Sequence, residues 1–155
     1  VESSDPLLRD ALARAFAEPA SGVLRHVHAI VVMHDGQIVV ERYAPGFGPD
    51  TPLLAYSASK SVVNALVGIL VQQGKMDVHT PAPVPAWRDP SDSRHALTIE
   101  QLMRMTSGLA LSEDDSGFDP VSTMLFRQAY MAGYAAQAKL IHPPGTVWDY
   151  NSGNS

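Results

Sequence analysis

The sequence predicts an α+β chain on three observations: an amphipathic helix opens it, a β-branched hairpin pattern follows, and helical segments fill most of the rest. Residues 6–16 place Leu7, Leu8, Leu12 and Phe16 near helical spacing, with Asp5 set to cap the helix and Pro6 suited to its first turn. Residues 28–33 and 37–42 are rich in β-branched side chains. His34-Asp35-Gly36 lies between them, and Asp-Gly there signals a tight hairpin turn. Residues 44–52, with three prolines and two glycines, read as loop.

Residues 55–70 follow, apolar on nearly every face past Lys60, so the helix they predict is expected to be buried all round. Gly74 marks its stop. The proline-rich run 78–90 reads as a surface connection. Thr98 is a good N-cap for a short helix through Met105, with Gln101 completing a capping box, and Thr106-Ser107-Gly108 ends it. Residues 113–119 form an acidic loop, and 121–140 a second helical region closed by Pro143-Pro144-Gly145.

Bulk properties narrow the function. The 155 residues suit one domain-sized unit, 45% hydrophobic and 17% charged, in the range of a globular protein. A formal charge of −5 disfavours a nucleic-acid partner, which requires a basic footprint. The absence of cysteine excludes disulfides and thiolate metal sites. The longest apolar stretch, 61–71, is broken by Asn64 and is too short to span a bilayer. The chain opens on Val1 with no leader-like pattern, as a processed or trimmed start would; the compartment stays open, with a lean towards export.

Chemistry enters at Ser57-Ala58-Ser59-Lys60, a Ser-x-x-Lys pattern. Positions three apart at a helix start share a face, so hydroxyl and amine can meet. A serine hydroxyl is a poor nucleophile until a base takes its proton, and a lysine serves as that base only where burial or a nearby cation disfavours its ammonium form. The bland alternative is a serine N-cap followed by a solvated lysine. Ser59 and Ser61 have no lysine three residues on. The pair His26 and His28 has no third ligand nearby and reads as an ordinary strand pair, and Glu113-Asp114-Asp115 as a solvated loop.

Three segments in order resemble one family. Tyr56-Ser57-Ala58-Ser59-Lys60-Ser61 is similar to the nucleophile motif of the β-lactamase and penicillin-binding-protein serine hydrolases. Residues 97–109 are similar to that family's LTIRQLLTHTSGL stretch, with Met105 in place of the frequent histidine, and residues 143–155 resemble the segment that carries its Tyr-x-Asn motif. The resemblance implies a β-lactamase-like fold: an antiparallel sheet flanked by helices plus a helical region, with the cleft between them. On this reading residues 1–77 begin the α/β part with hairpin and nucleophile helix, and 78–155 are the helical region ending at the tyrosine motif.

The resemblance further implies that Ser57 attacks a carbonyl, Lys60 receives its proton, and Tyr150 shares the proton traffic, with the Ser57 N–H as one oxyanion donor. No cofactor is implied. Tyr150-Asn151-Ser152-Gly153 and the Met-Thr-Ser-Gly segment look like the 6-aminohexanoate-dimer hydrolase and esterase branch, because Ser152 stands where the pattern usually has Asn and cannot copy an amide's two-ended contact. Ser152 and Trp148 are the expected substrate contacts, Trp148 alternatively core packing. A small ester or amide therefore ranks ahead of a β-lactam or D-Ala-D-Ala peptide, and a catalytically silent binding or sensor domain is the alternative from another class. The family's Lys/His-Ser/Thr-Gly strand has no match here, so the closing strands are expected from a complementing C-terminal segment or a second chain.

Overall fold

The computed structural model describes residues 4–114 and 116–155. Two compact units divide between Leu54 and Ala55. That boundary falls before the nucleophile helix, whereas the sequence reading groups this helix with the hairpin.

The first unit holds α1 (Pro6–Phe16) and a two-stranded antiparallel sheet, β1 (Ala29–His34) and β2 (Gln37–Tyr43). The Asp5 carboxylate accepts the Leu7 N–H at 2.8 Å, and Pro6 stands at the first turn, as the sequence predicts. The Asp35-Gly36 turn takes positive φ at both residues, +48° and +74°, the backbone that Asp-Gly adopts at low cost. Register runs from Ala29 opposite Tyr43 to His34 opposite Gln37, with a shift between Val32 and Met33. Of the strand residues only Val40 is fully buried, while Val31, Met33 and Ile38 are exposed. His28 stacks on Phe47 at 4.2 Å between ring centroids, so this histidine packs. Among the described residues no group of three His, Asp or Glu could hold a metal.

The second unit holds α2 (Ser59–Gln72), α3 (Ile99–Met103), α4 (Pro120–Arg127) and α5 (Met131–Ala135), with short 3₁₀ turns. Its core is built from Ala82, Trp87, Leu97, Leu109 and Leu111. Leu97 and Leu111 are 1% and 2% exposed, and each such burial contributes about 1.5–3 kcal/mol. Two of the core residues, Ala82 and Trp87, lie in the run read as a surface connection. That expectation is corrected: the prolines do turn the chain, but the Trp87 indole packs inward and its Nε1–H donates to the Ala136 carbonyl at 2.8 Å. Arg94 ties the same region down, donating to the Ala136 and Ala138 carbonyls at 2.8 and 2.9 Å while it grips Asp92 with two nitrogens. This grip holds the Asp92 carboxyl at about 2, well below its ordinary 3.8.

The capping box at α3 forms as predicted, Thr98 Oγ1 accepting the Gln101 N–H and Gln101 Oε1 accepting the Thr98 N–H. The helical region expected over 121–140 is two helices instead of one. Asp119 caps α4, its carboxylate accepting Ser122 Oγ–H and N–H, which lowers it to about 2. The chain leaves helical geometry at Gln128, which is extended, and re-enters at Met131.

One larger correction concerns α2, expected to be buried all round. Val62, Val63, Leu66 and Ile69 are 47–60% exposed, and no residue of the helix is fully buried. Continuous apolarity marks a helix suited to apolar neighbours on every side, and among the described residues those neighbours are not supplied. No described helix is long and apolar enough to cross a membrane.

Candidate active site

The nucleophile candidate sits where a 3₁₀ turn, Tyr56–Ala58, runs into α2. Across this junction residues three apart share a face, which brings Lys60 over Ser57. Lys60 Nζ lies 3.1 Å from Ser57 Oγ. Ser57 is exposed and Lys60 half-buried, so the hydroxyl faces incoming solute while the amine is sheltered behind it. Ser59 is otherwise engaged: its hydroxyl donates to the Tyr56 carbonyl at 2.6 Å. Tyr56 itself has φ +42°, a left-handed backbone that a bulky residue adopts at a cost of about 1–2 kcal/mol. Such strain clusters at working sites.

The facing wall comes from two segments pinned together. Gly145 N–H donates to the Thr106 carbonyl at 2.7 Å and Asp149 N–H to the Met105 carbonyl at 2.9 Å, while Leu109 bridges Leu140. Met105, where the resembled family often has histidine, has φ +58° and presents that carbonyl. This pairing carries Tyr150 to Lys60, whose Nζ lies 5.2 Å from the tyrosine ring centroid. Trp148, 67% exposed, stands tilted beside Tyr150 at 6.5 Å; it is not core packing in this chain.

Ser152 is drawn into the same cluster. Its Oγ is 3.1 Å from Nζ of Lys60, 92 residues away in sequence, so Lys60 bridges the hydroxyls of Ser57 and Ser152. Behind Ser152 lies Glu113, which sequence reasoning placed in a solvated loop. Its carboxylate accepts the Ser152 N–H at 2.5 Å and the Ser152 Oγ–H at 3.1 Å. Only proximity in space reveals it, since the acidic run gives no signal separating Glu113 from Asp114.

Beneath the wall runs a buried polar network, also missed by the sequence reading. Ser107 Oγ donates to Asn154 Oδ1 at 2.5 Å, Asn154 Nδ2 to Asn151 Oδ1 at 3.0 Å, and Asn151 Nδ2 to the Asp149 carboxylate at 3.1 Å. Ser107, Asn151 and Asn154 are 1–7% exposed, and each buried polar atom finds a partner. Gly108 secures the turn above it: with φ +74°, a side-chain carbon there would meet the His142 carbonyl oxygen at 2.1 Å.

The result is an open depression of about 480 Å³, lined by Ser57, Lys60, Asn64, Met103, Met105 and Tyr150 among others. It is large enough for a small ester or amide. Of the residues named from the sequence it holds Ser57, Lys60 and Tyr150; Ser152 reaches the cluster through its contact with Lys60, and Trp148 stands beside Tyr150.

Known proteins resemble this chain in sequence and in fold. A stretch of 53 residues, 34% of this chain, is 36% identical to a 6-aminohexanoate-dimer hydrolase of Paenarthrobacter ureafaciens and covers 14% of that protein. A Bacillus anthracis structure that carries the provisional name 6-aminohexanoate-dimer hydrolase superposes with a TM-score of 0.62 at 24% identity, over 82% of this chain. The chain spans 37% of the length of that structural relative, and the likeness supports a β-lactamase-like fold. The sequence profile of the Beta-lactamase family matches residues 13–155, nearly the whole chain. With that match and the fold in agreement, the chain belongs to the β-lactamase family.

Proposed function

We propose that this chain carries the nucleophile and base of a serine hydrolase that cleaves a small ester or amide through an acyl-enzyme on Ser57. The observation that carries the reading is the 3.1 Å approach of Lys60 Nζ to Ser57 Oγ at the rim of an open depression. Ser57 Oγ attacks the substrate carbonyl as its proton passes to the lysine amine. The tetrahedral intermediate then expels an alcohol or amine, which takes up a proton through Lys60 and Tyr150. Water attacks the acyl carbon and frees Ser57. The Ser57 N–H is one oxyanion donor, and a strand from a complementing segment is assigned as the other.

Ser152 in place of asparagine favours esters and short amides over β-lactams. The test is incubation of the complete protein with p-nitrophenyl acetate, followed by mass analysis. An acetyl adduct on Ser57, absent from Ser57→Ala, is expected. Turnover that survives Ser57→Ala refutes the assignment, and a silent binding domain would give neither adduct nor turnover. A long-lived adduct with labelled penicillin would point instead to a carboxypeptidase.

A further inference from the structure

Glu113 is half-buried and its carboxylate accepts both polar hydrogens of Ser152, 39 residues away, while the Ser152 oxygen faces Lys60. A hydroxyl has one proton and two lone pairs, and an ionised carboxylate can only accept. With its proton committed to Glu113, Ser152 can offer Lys60 only a lone pair. From this geometry we infer that Glu113 is a positioning residue, which fixes Ser152 as an acceptor and so reserves the lone pair of the neutral Lys60 amine for the Ser57 proton.

A neutral amine has one lone pair, and two hydroxyls stand 3.1 Å from it. Were Ser152 free to rotate, its O–H could donate to that lone pair as readily as Ser57 does, and the base would be occupied by the wrong serine. Glu113 removes this option. As Ser57 Oγ bonds to the carbonyl carbon, its proton moves to Lys60 and the resulting ammonium donates to a Ser152 oxygen already polarised by Glu113. No proton reaches Glu113. Collapse of the intermediate breaks the bond to the leaving oxygen or nitrogen, which takes the proton back from Lys60. The Tyr150 ring centroid lies 5.2 Å from the amine, and the Glu100–Arg104 ion pair lines the same depression.

This inference rests on the reading of Ser57 and Lys60 as nucleophile and base, and the experiment separates the two. The burst of p-nitrophenol from p-nitrophenyl acetate is followed in the complete protein, in Glu113→Gln, in Ser152→Ala and in the double variant, with melting curves for each. Glu113→Gln is expected to slow acylation about tenfold to a hundredfold, the range for losing a hydrogen bond to a charged group, with KM little changed. Ser152→Ala keeps the backbone N–H that holds Glu113 and removes the competing hydroxyl, so it is expected to acylate within about tenfold of the native rate and faster than Glu113→Gln. Because Glu113 acts through that hydroxyl, the double variant should acylate within about twofold of Ser152→Ala alone. A merely structural Glu113 would instead lower the melting temperature and add its cost to that of Ser152→Ala. Native-rate acylation in Glu113→Gln, a loss beyond about tenfold in Ser152→Ala, or fully additive losses overturns the inference while leaving the hydrolase reading intact. An unmodified protein that forms no adduct on Ser57 overturns both.

Discussion

The two walls of the depression are built on opposite principles. One is α2, which carries Lys60 and follows directly on Ser57, is rich in apolar residues and leaves Val62, Leu66 and Ile69 about half exposed. The other, residues 105–109 with 149–154, is held by backbone hydrogen bonds and by the buried Ser107–Asn154–Asn151 network, with every buried polar atom partnered. The difference teaches where the geometry of the site is stored. Hydrogen bonds between polar groups are directional and hold the backbone at Asp149, beside Tyr150, and at Ser152, whereas apolar packing fixes a helix only as well as its neighbours fit it. Lys60 joins the walls, since its amine reaches Ser57 on one side and Ser152 on the other.

The largest expected effect comes from removing that joint. Lys60→Ala should lower the acylation rate of Ser57 by about 10²–10⁴-fold, the worth of a positioned general base, measured as the p-nitrophenol burst in the complete protein. The melting temperature should change little, because a half-exposed lysine contributes little to packing. A variant that melts early yet acylates normally would show that Lys60 holds the walls together and does nothing more.

Next in size is a break in the polar wall. Gly108→Ala would force a side-chain carbon to within 2.1 Å of the His142 carbonyl oxygen, in a left-handed backbone as well. A cost of about 2–4 kcal/mol follows from strain and the backbone shift, read as a lowered denaturant midpoint. An alanine in the middle of α2, such as Gly68→Ala, meets nothing within 4 Å and should be neutral or slightly stabilising. If the two substitutions cost the same, the contrast between the walls is wrong.

What the sequence revealed divides along the same line. Signals carried by neighbours in the chain were legible: the Asp-Gly turn, the Thr98–Gln101 box, and the Ser57–Lys60 spacing all depend on residues three or fewer apart. Contacts that fold distant segments together were not. Ser107 and Asn154 lie 47 residues apart, and Glu113 and Ser152 lie 39 apart, so neither pair leaves a local pattern. Trp87 was hidden for another reason, because prolines mark where a chain turns without saying which side chain points inward. The exposure of α2 was illegible in the opposite sense. Its composition states what it is suited to pack against, and not whether these residues provide it.

A smaller test sharpens the network itself. Ser107→Ala strips Asn154 Oδ1 of its donor in a site 2–7% exposed, and should cost about 1–3 kcal/mol in denaturant unfolding. Since Asn154 also donates to Asn151, which is tied to Asp149 beside Tyr150, part of the loss should appear as slower acylation as well. Loss of stability with unchanged acylation would separate the network from the site above it.

The smallest effect is reached by acid, through two carboxylates of the second unit. Asp92 is held at about 2 by the side-chain and backbone hydrogen bonds of Arg94, and Asp119 at about 2 by those of Ser122. A carboxyl depressed in the folded state lends stability that is fully present above its ordinary 3.8 and drains away as pH falls through that value towards 2. The melting temperature should therefore be flat with respect to these groups at neutral pH and decline in that acid window. Asp92→Asn keeps the shape and removes the charge that grips Arg94, so it should melt earlier than the native protein at pH 7. The gap should narrow steeply below 3.8 and be mostly closed near pH 2, where the native carboxyl is half protonated. A gap that stayed constant down to that pH would mean that Asp92 stabilises by packing, and that Arg94 holds the Ala136 and Ala138 carbonyls without help from its charge partner.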